Sequence, residues 1–134
     1  MLPFECIIKG TPVSQQARRR ERLRAWQQDV RSQVKAKWPN DEAPSVKKVK
    51  VTLAYYYENV TMDTDNILKP VLDALKGLVL EDDGLVTDHQ VVKRSLDGSF
   101  RVKGMSSVLA EGFCYGSDFL HLKIEEAPDQ EEMV

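Results

Sequence analysis

The densest group of reactive side chains in this chain lies in residues 62–90, MDTDNILKPVLDALKGLVLEDDGLVTDHQ. Asp63 and Asp65 stand two apart at what reads as the end of a strand, and side chains at i and i+2 of an extended chain point to the same side. Two carboxylates are thereby aimed at one place. Asp82 and Asp83 follow an intervening helix, at the reversal into the next strand, where a third carboxylate can close on the same point. Carboxylates brought together repel one another unless a cation neutralises them. Oxygen donors without His or Cys favour Mg²⁺ or Mn²⁺ over zinc, and those ions also bind phosphate oxygens. The competing reading is an acidic loop with helix-capping aspartates, since Asp65 or Asn66 is equally suited to cap the helix that follows.

Lys69 comes four residues after Asp65, one helical turn along the same face, where its ammonium can reach the carboxylates or a substrate phosphate. A fixed cation there would stabilise charge that develops as a phosphodiester is hydrolysed. Pairing with Asp73 on the next turn is the plainer alternative, and spacing alone does not separate the two. Other motifs fail on the same residues. An EF-hand loop starting at Asp63 would place Ile67, Leu68 and Ala74 where an oxygen ligand, Gly and Glu are required. A DxDxT phosphotransferase motif has Ile67 in place of Thr. Neither GxSxG nor GxxxxGK occurs, and His89 and His121, both on strand-like segments, read as structural.

The elements that must position these residues follow from periodicity. Residues 4–9 (FECIIK) read as a first strand, closed by Gly10, Thr11 and Pro12. Leu23, Trp26, Val30 and Val34 form one helical stripe, and Pro39 stops that helix near Lys37. Residues 48–57 alternate strictly, which makes a strand whose apolar face meets the helix. A second helix is expected over residues 66–76 from Leu68, Leu72, Leu75 and Val79, with Pro70 either delaying its start or bending it. Residues 86–96 and 119–125 read as further strands, and 97–118 as Gly- and Ser-rich chain with at most a short strand at 100–103. The order β-α-β-α-β-β suits an α+β fold, a two-layer α/β arrangement with helices packed on a mixed sheet.

Charge is unevenly divided. Residues 1–50 hold twelve Lys and Arg against five Asp and Glu, whereas residues 51–134 hold seven against sixteen, so a total of −2 conceals a basic first part. Arg20, Arg24, Arg31 and Lys35 fall along one flank of the first helix, a candidate edge for tracking phosphates or simply a solvated charged face. Lys47, Lys48, Lys50, Lys93, Arg94, Arg101 and Lys103 add further cations. Five acids crowd residues 125–134, a tail with little to pack, so 1–124 is expected to be one domain followed by a disordered tail. At 134 residues a two-domain enzyme is excluded. No apolar run reaches the ~18–20 residues of a membrane span. The opening residues lack a secretory pattern and Cys6 and Cys114 form no CxxC unit, so a cytoplasmic protein with reduced thiols is expected. In the run Tyr55-Tyr56-Tyr57 at least one ring must face away from the core, to pack on the sheet or to meet exposed bases.

The run Asp63-Thr64-Asp65-Asn66-Ile67-Leu68-Lys69, then Asp73-Ala74-Leu75-Lys76-Gly77, then Asp82-Asp83, resembles the RusA family of Holliday-junction resolvases, small endodeoxyribonucleases frequent in phages and prophages. The resemblance is densest over these residues and extends more coarsely to about residue 124. It implies a Mg²⁺-dependent homodimer, Mn²⁺ being a possible substitute, that binds four-way DNA junctions and nicks opposing strands symmetrically in recombination and repair. By that resemblance Asp63, Asp65 and Asp83 are the catalytic metal ligands and Lys69 the catalytic lysine. Asp82 and Asp88 support them, and no organic cofactor or membrane is involved. Leu85 stands where the family usually has Gln, which leaves one contact to the metal shell or substrate in question.

Overall fold

A computed structural model describes residues 1–59, 62–97 and 103–131. Its elements run β1 (Phe4–Lys9), α1 (Arg20–Lys35), β2 (Val49–Tyr57), α2 (Asp65–Leu75), a short 3-10 turn (Asp83–Leu85), β3 (Val86–Ser95), α3 (Ser107–Tyr115) and β4 (Phe119–Glu126). The four strands form one mixed sheet in the order β1-β4-β2-β3. β4 is antiparallel to both β1 and β2, and β2 is parallel to β3. Parallel neighbours need a crossover, and here the segment carrying α2 supplies it. The fold is α+β, as the periodicity predicts.

One face of the sheet holds the main core. Leu23, Trp26, Val30 and Val34 of α1 and Ile67, Val71, Leu72 and Leu75 of α2 are buried with Val49, Val51, Leu53 and Tyr55 of β2 and Leu120, Leu122 and Ile124 of β4. The two helices also pack on each other. Pro70 neither delays nor ends α2, which starts at Asp65 and carries the proline in its interior. A proline cannot donate to the carbonyl four residues back. The Asn66 carbonyl instead accepts from the Gln15 N–H at 3.1 Å, and the Pro70 carbonyl accepts from Gln27 Nε2 at 3.1 Å. The proline thus opens a socket on α2 that the segment before α1 fills.

The opposite face carries a further helix. Residues 107–115 form α3, which packs over β1 and β4 and closes a second cluster of Ile7, Ala54, Tyr56, Leu109 and Phe119. Ser106 caps α3 by accepting from the Leu109 N–H at 3.1 Å, and Gly116, at φ +77°, ends it in the left-handed region that glycine enters without strain. Gly112 permits the close approach, because a Cβ at this position would run into the Phe119 ring. The Gly and Ser content of this segment outweighs its short apolar pattern, so the sequence suggests a loop. Ser106 as cap and Gly116 as terminator are the local signals of the helix. The possible strand at 100–103 falls largely outside the described residues. Lys103 is exposed in a turn.

The acidic tail also begins later than expected. Glu125 and Glu126 belong to β4, paired with Lys50 and Val49, and Glu126 Oε1 lies 3.0 Å from Lys47 Nζ. Lys47 is therefore tied to the strand end. Among the described residues no helix is long and apolar enough to cross a membrane.

Candidate active site

α2 brings the reactive residues together. Asp65, Lys69 and Asp73 follow at intervals of four and form one row along the helix. Asp65 is the first residue of α2 and not the end of a strand, so the strand geometry expected for Asp63 and Asp65 is replaced by a loop-to-helix corner. The Asp63 carbonyl accepts from the Asn66 N–H at 3.0 Å, which shapes that corner. Both carboxylates are exposed. An acid in the first turn is favoured by the positive end of the helix dipole.

Lys69 occupies the middle of the row. Its Nζ donates to Asp73 Oδ1 at 2.8 Å and to Asp83 Oδ2 at 2.9 Å. The local pair with Asp73 is joined by a bond to an aspartate fourteen residues away. These two bonds hold the Lys69 ammonium far above the usual lysine range. The Lys69 hydrogen bond and charge in turn hold the Asp83 carboxyl below its ordinary value. Asp83 lies on the 3-10 turn just before β3. Asp82 caps that turn, accepting from the Gly84 N–H at 3.2 Å, and pairs with Lys76 at 3.2 Å. Asp88 accepts from the Thr87 hydroxyl at 2.7 Å.

Between α2 and β3 lies a cleft of about 500 Å³ lined by Thr64, Asp65, Leu68, Lys69, His89 and Val91. His89 differs from expectation. It is exposed and borders this cleft, on the same side of β3 as Val91. A histidine on an alternating strand gave no sign of which face would meet the helix. His121 has the structural role, its Nε2 standing 2.5 Å from Glu5 Oε2.

A metal fits the donor chemistry, since Asp63, Asp65 and Asp83 offer only carboxylate oxygens. The three are not gathered round one point: among the described residues no group of three His, Cys, Asp or Glu side chains is placed to hold an ion. Lys69 supplies the positive charge at Asp83 instead.

The basic residues divide by geometry. Arg31 is half-buried and donates from Nη1 to the Ala74 and Lys76 carbonyls, both at 2.9 Å, so it caps the C-terminus of α2. Arg24 and Arg31 border a groove between α1 and α2 that Asp73 also lines, which brings the cationic flank of α1 against the Asp65 row. Arg20 bonds the Gln15 carbonyl at 3.0 Å. Lys35 and Lys48 are exposed and Lys50 is half-buried. Lys93 donates to the Met62 carbonyl at 3.2 Å and so tethers the loop that carries Asp63, while Arg94 bonds the Lys93 carbonyl at 2.8 Å. Arg101 lies outside the described residues.

A buried carboxylate that sequence reasoning passed over organises the same end of the sheet. Asp118 is 6% exposed and accepts from Thr11 Oγ1 at 3.0 Å, Tyr55 OH at 2.9 Å and the Glu58 N–H at 2.8 Å. It joins the exit of β1, the entry of β4 and the exit of β2, where the chain sets out toward Asp63. Burial and the Asp118 bond both push the Tyr55 hydroxyl pKa up. Tyr56, on the opposite face, stacks on Phe119 with centroids 4.8 Å apart, so α3 covers the ring expected to face away from the core.

The family model described as endodeoxyribonuclease RusA matches residues 9–103, a span that takes in α1, both of the parallel strands and every residue of the cleft. No curated protein matches the chain.

Proposed function

Because the chain belongs to the RusA endodeoxyribonuclease family, we propose that it resolves four-way DNA junctions by placing paired nicks in opposing strands. The observation that carries this reading is the Asp65-Lys69-Asp73 row with Asp83 bonded to its centre, bordering an open cleft beside a cationic helix flank. Membership in the family supports nuclease action on DNA. The proposal adds four-way specificity, paired nicks and work in the cytoplasm, in recombination and repair and in a phage or prophage setting.

In the hydrolysis, a water oxygen joins phosphorus, one P–O ester bond breaks, and the proton lost by the water is balanced by one gained at the leaving strand end. Lys69 contributes a cation fixed by two carboxylates, so little reorganisation is needed as negative charge grows on the phosphate. Asp65 lines the same cleft and would accept a hydrogen bond from the water. Asp63, Asp65 and Asp83 would hold Mg²⁺, with Mn²⁺ as substitute. When bound, the ion supplies positive charge at the phosphate and eases deprotonation of the water. Asp82 and Asp88 support this set, Asp82 by shaping the turn that carries Asp83. Leu85, on that same turn, takes the place of the Gln usual in the family.

Affinity is assigned to Arg20, Arg24, Lys35, Lys48, Lys50 and Arg94, with Lys47, Lys93 and Arg31 acting through the strand, loop and helix ends they tie down. Phosphate contacts of this kind weaken steeply as salt rises. Two nicks in one junction call for two active sites, hence a homodimer whose two-fold axis matches that of the DNA.

A second reading, a branched-DNA-binding protein that does not cut, is favoured by the bond that holds Asp83 on Lys69 and by the absence of a gathered carboxylate triad among the described residues. The deciding experiment is incubation of a synthetic mobile junction with wild type and Asp65→Asn in Mg²⁺, with nicks mapped on all four arms. Resolution gives paired opposing nicks that vanish in Asp65→Asn while binding persists. Binding without cuts in either Mg²⁺ or Mn²⁺ favours the second reading, and unpaired nicks at branch points indicate a flap or branch nuclease.

A further inference from the structure

We infer that His89 is a substrate-contacting residue of the cleft, its imidazole donating a hydrogen bond to a backbone phosphate of the DNA strand lying against α2. This rests on the nuclease reading above and adds a residue of this chain to that site.

The cleft as it stands is poorly equipped to receive an anion. Asp65 presents a negative charge. Of the three N–H donors of the Lys69 ammonium, two are held by Asp73 and Asp83. With the Thr64 hydroxyl at the helix entry, one lysine donor and one carboxylate are therefore what the α2 side offers an incoming phosphodiester. The facing wall is β3, and there His89 is the polar side chain that borders the cleft. Among the described residues it has no hydrogen bond or ion pair, so its ring nitrogens are available. Leu68 and Val91 line the same space, and a donor in less polar surroundings interacts more strongly with a charged oxygen than one in open water. A phosphate between α2 and β3 would thus be held from two sides, by Lys69 and by His89.

The chain contains two histidines, which makes the idea directly measurable. His121 is 15% exposed and paired with Glu5, remote in kind from the cleft residue, and serves as the internal reference. Imidazole NMR signals are followed while a four-way junction is added to the wild-type protein without divalent cation. His89 signals are expected to shift on saturation and His121 signals to stay in place. In parallel, cleavage by wild type, His89→Ala and His89→Gln is compared. Loss of one hydrogen bond to a charged phosphate lowers kcat/KM by about tenfold to a hundredfold in His89→Ala, and His89→Gln, which keeps an N–H donor, recovers part of it. Thermal unfolding is unchanged in both variants because the side chain is exposed. Stationary His89 signals, or a His89→Ala protein that cuts as well as wild type, overturn the assignment while the nuclease reading stands. A wild type that cuts no branched DNA overturns both.

Discussion

Lys69 Nζ stands 2.9 Å from Asp83 Oδ2, a bond that fastens the middle of α2 to the turn leading into β3. With the 2.8 Å bond to Asp73 it makes a carboxylate-ammonium-carboxylate bridge beside the cleft. Replacing Lys69 with Met keeps much of the stem and removes the charge. Single-turnover cleavage at saturating enzyme is expected to fall by about a hundredfold or more, the loss typical when a fixed transition-state donor is removed. Cleavage within about twofold of wild type would reduce Lys69 to a strut.

Arg31 and Arg24 look alike in sequence and are expected to behave oppositely. Arg31 donates to two carbonyls at the end of α2, so Arg31→Ala should lower stability to urea unfolding by ~1–2 kcal/mol. Arg24 is exposed at the groove between the helices, and Arg24→Ala should leave stability nearly unchanged. Its cost falls on DNA affinity, with the slope of log affinity against log salt reduced by about one. Equal salt slopes for wild type and Arg24→Ala would remove that residue from the phosphate-tracking edge.

Asp118 gathers three donors in a buried setting. Asp118→Ala removes the acceptor shared by the Thr11 hydroxyl, the Tyr55 hydroxyl and the Glu58 N–H. Loss of these bonds to a buried carboxylate costs ~2–4 kcal/mol in all. Chemical denaturation measures this directly. Because Glu58 begins the connection to Asp63, cleavage by the folded fraction should also drop, although Asp118 touches neither cleft nor substrate.

Glu5 couples stability to acid. Burial works to raise its pKa, but hydrogen bonds from Ser106 and His121 and the charges of His121 and Lys123 together outweigh it and hold the carboxyl below its ordinary 4.5. A carboxyl lowered in the folded state stabilises the fold above its unfolded pKa and loses that contribution as pH falls through the folded value. The stability difference between wild type and Glu5→Gln should therefore shrink as pH falls from about 5 toward 3. A difference that stays constant over that range would show that the Ser106 and His121 contacts do not hold the ionised form.

Much of this architecture is legible in the chain because it is local. Leu23, Trp26, Val30 and Val34 recur at helical spacing and all four are buried. The alternation over residues 48–57 becomes the strand Val49–Tyr57. The row of Asp65, Lys69 and Asp73 is likewise a consequence of 3.6 residues per turn. Helix α3 was hidden because a nine-residue helix carries little periodic signal and its stability comes from packing on Phe119, a residue beyond its own end.

What the sequence alone determined is therefore the inventory: the acids, the lysine, the basic flank, and the helix that puts three of them in line. Tertiary structure decided which of them meet. The Lys69 bond to Asp83 spans fourteen residues, Asp118 reaches Tyr55 across sixty-three, and Arg31 turns from candidate DNA contact to helix cap through partners more than forty residues away. His89 became part of the cleft by the same route, since the parallel pairing of β2 with β3 sets which of its faces lies beside α2. Spacing governs contacts within one turn or one strand, whereas contacts between elements depend on how the chain crosses and packs, which no local pattern encodes.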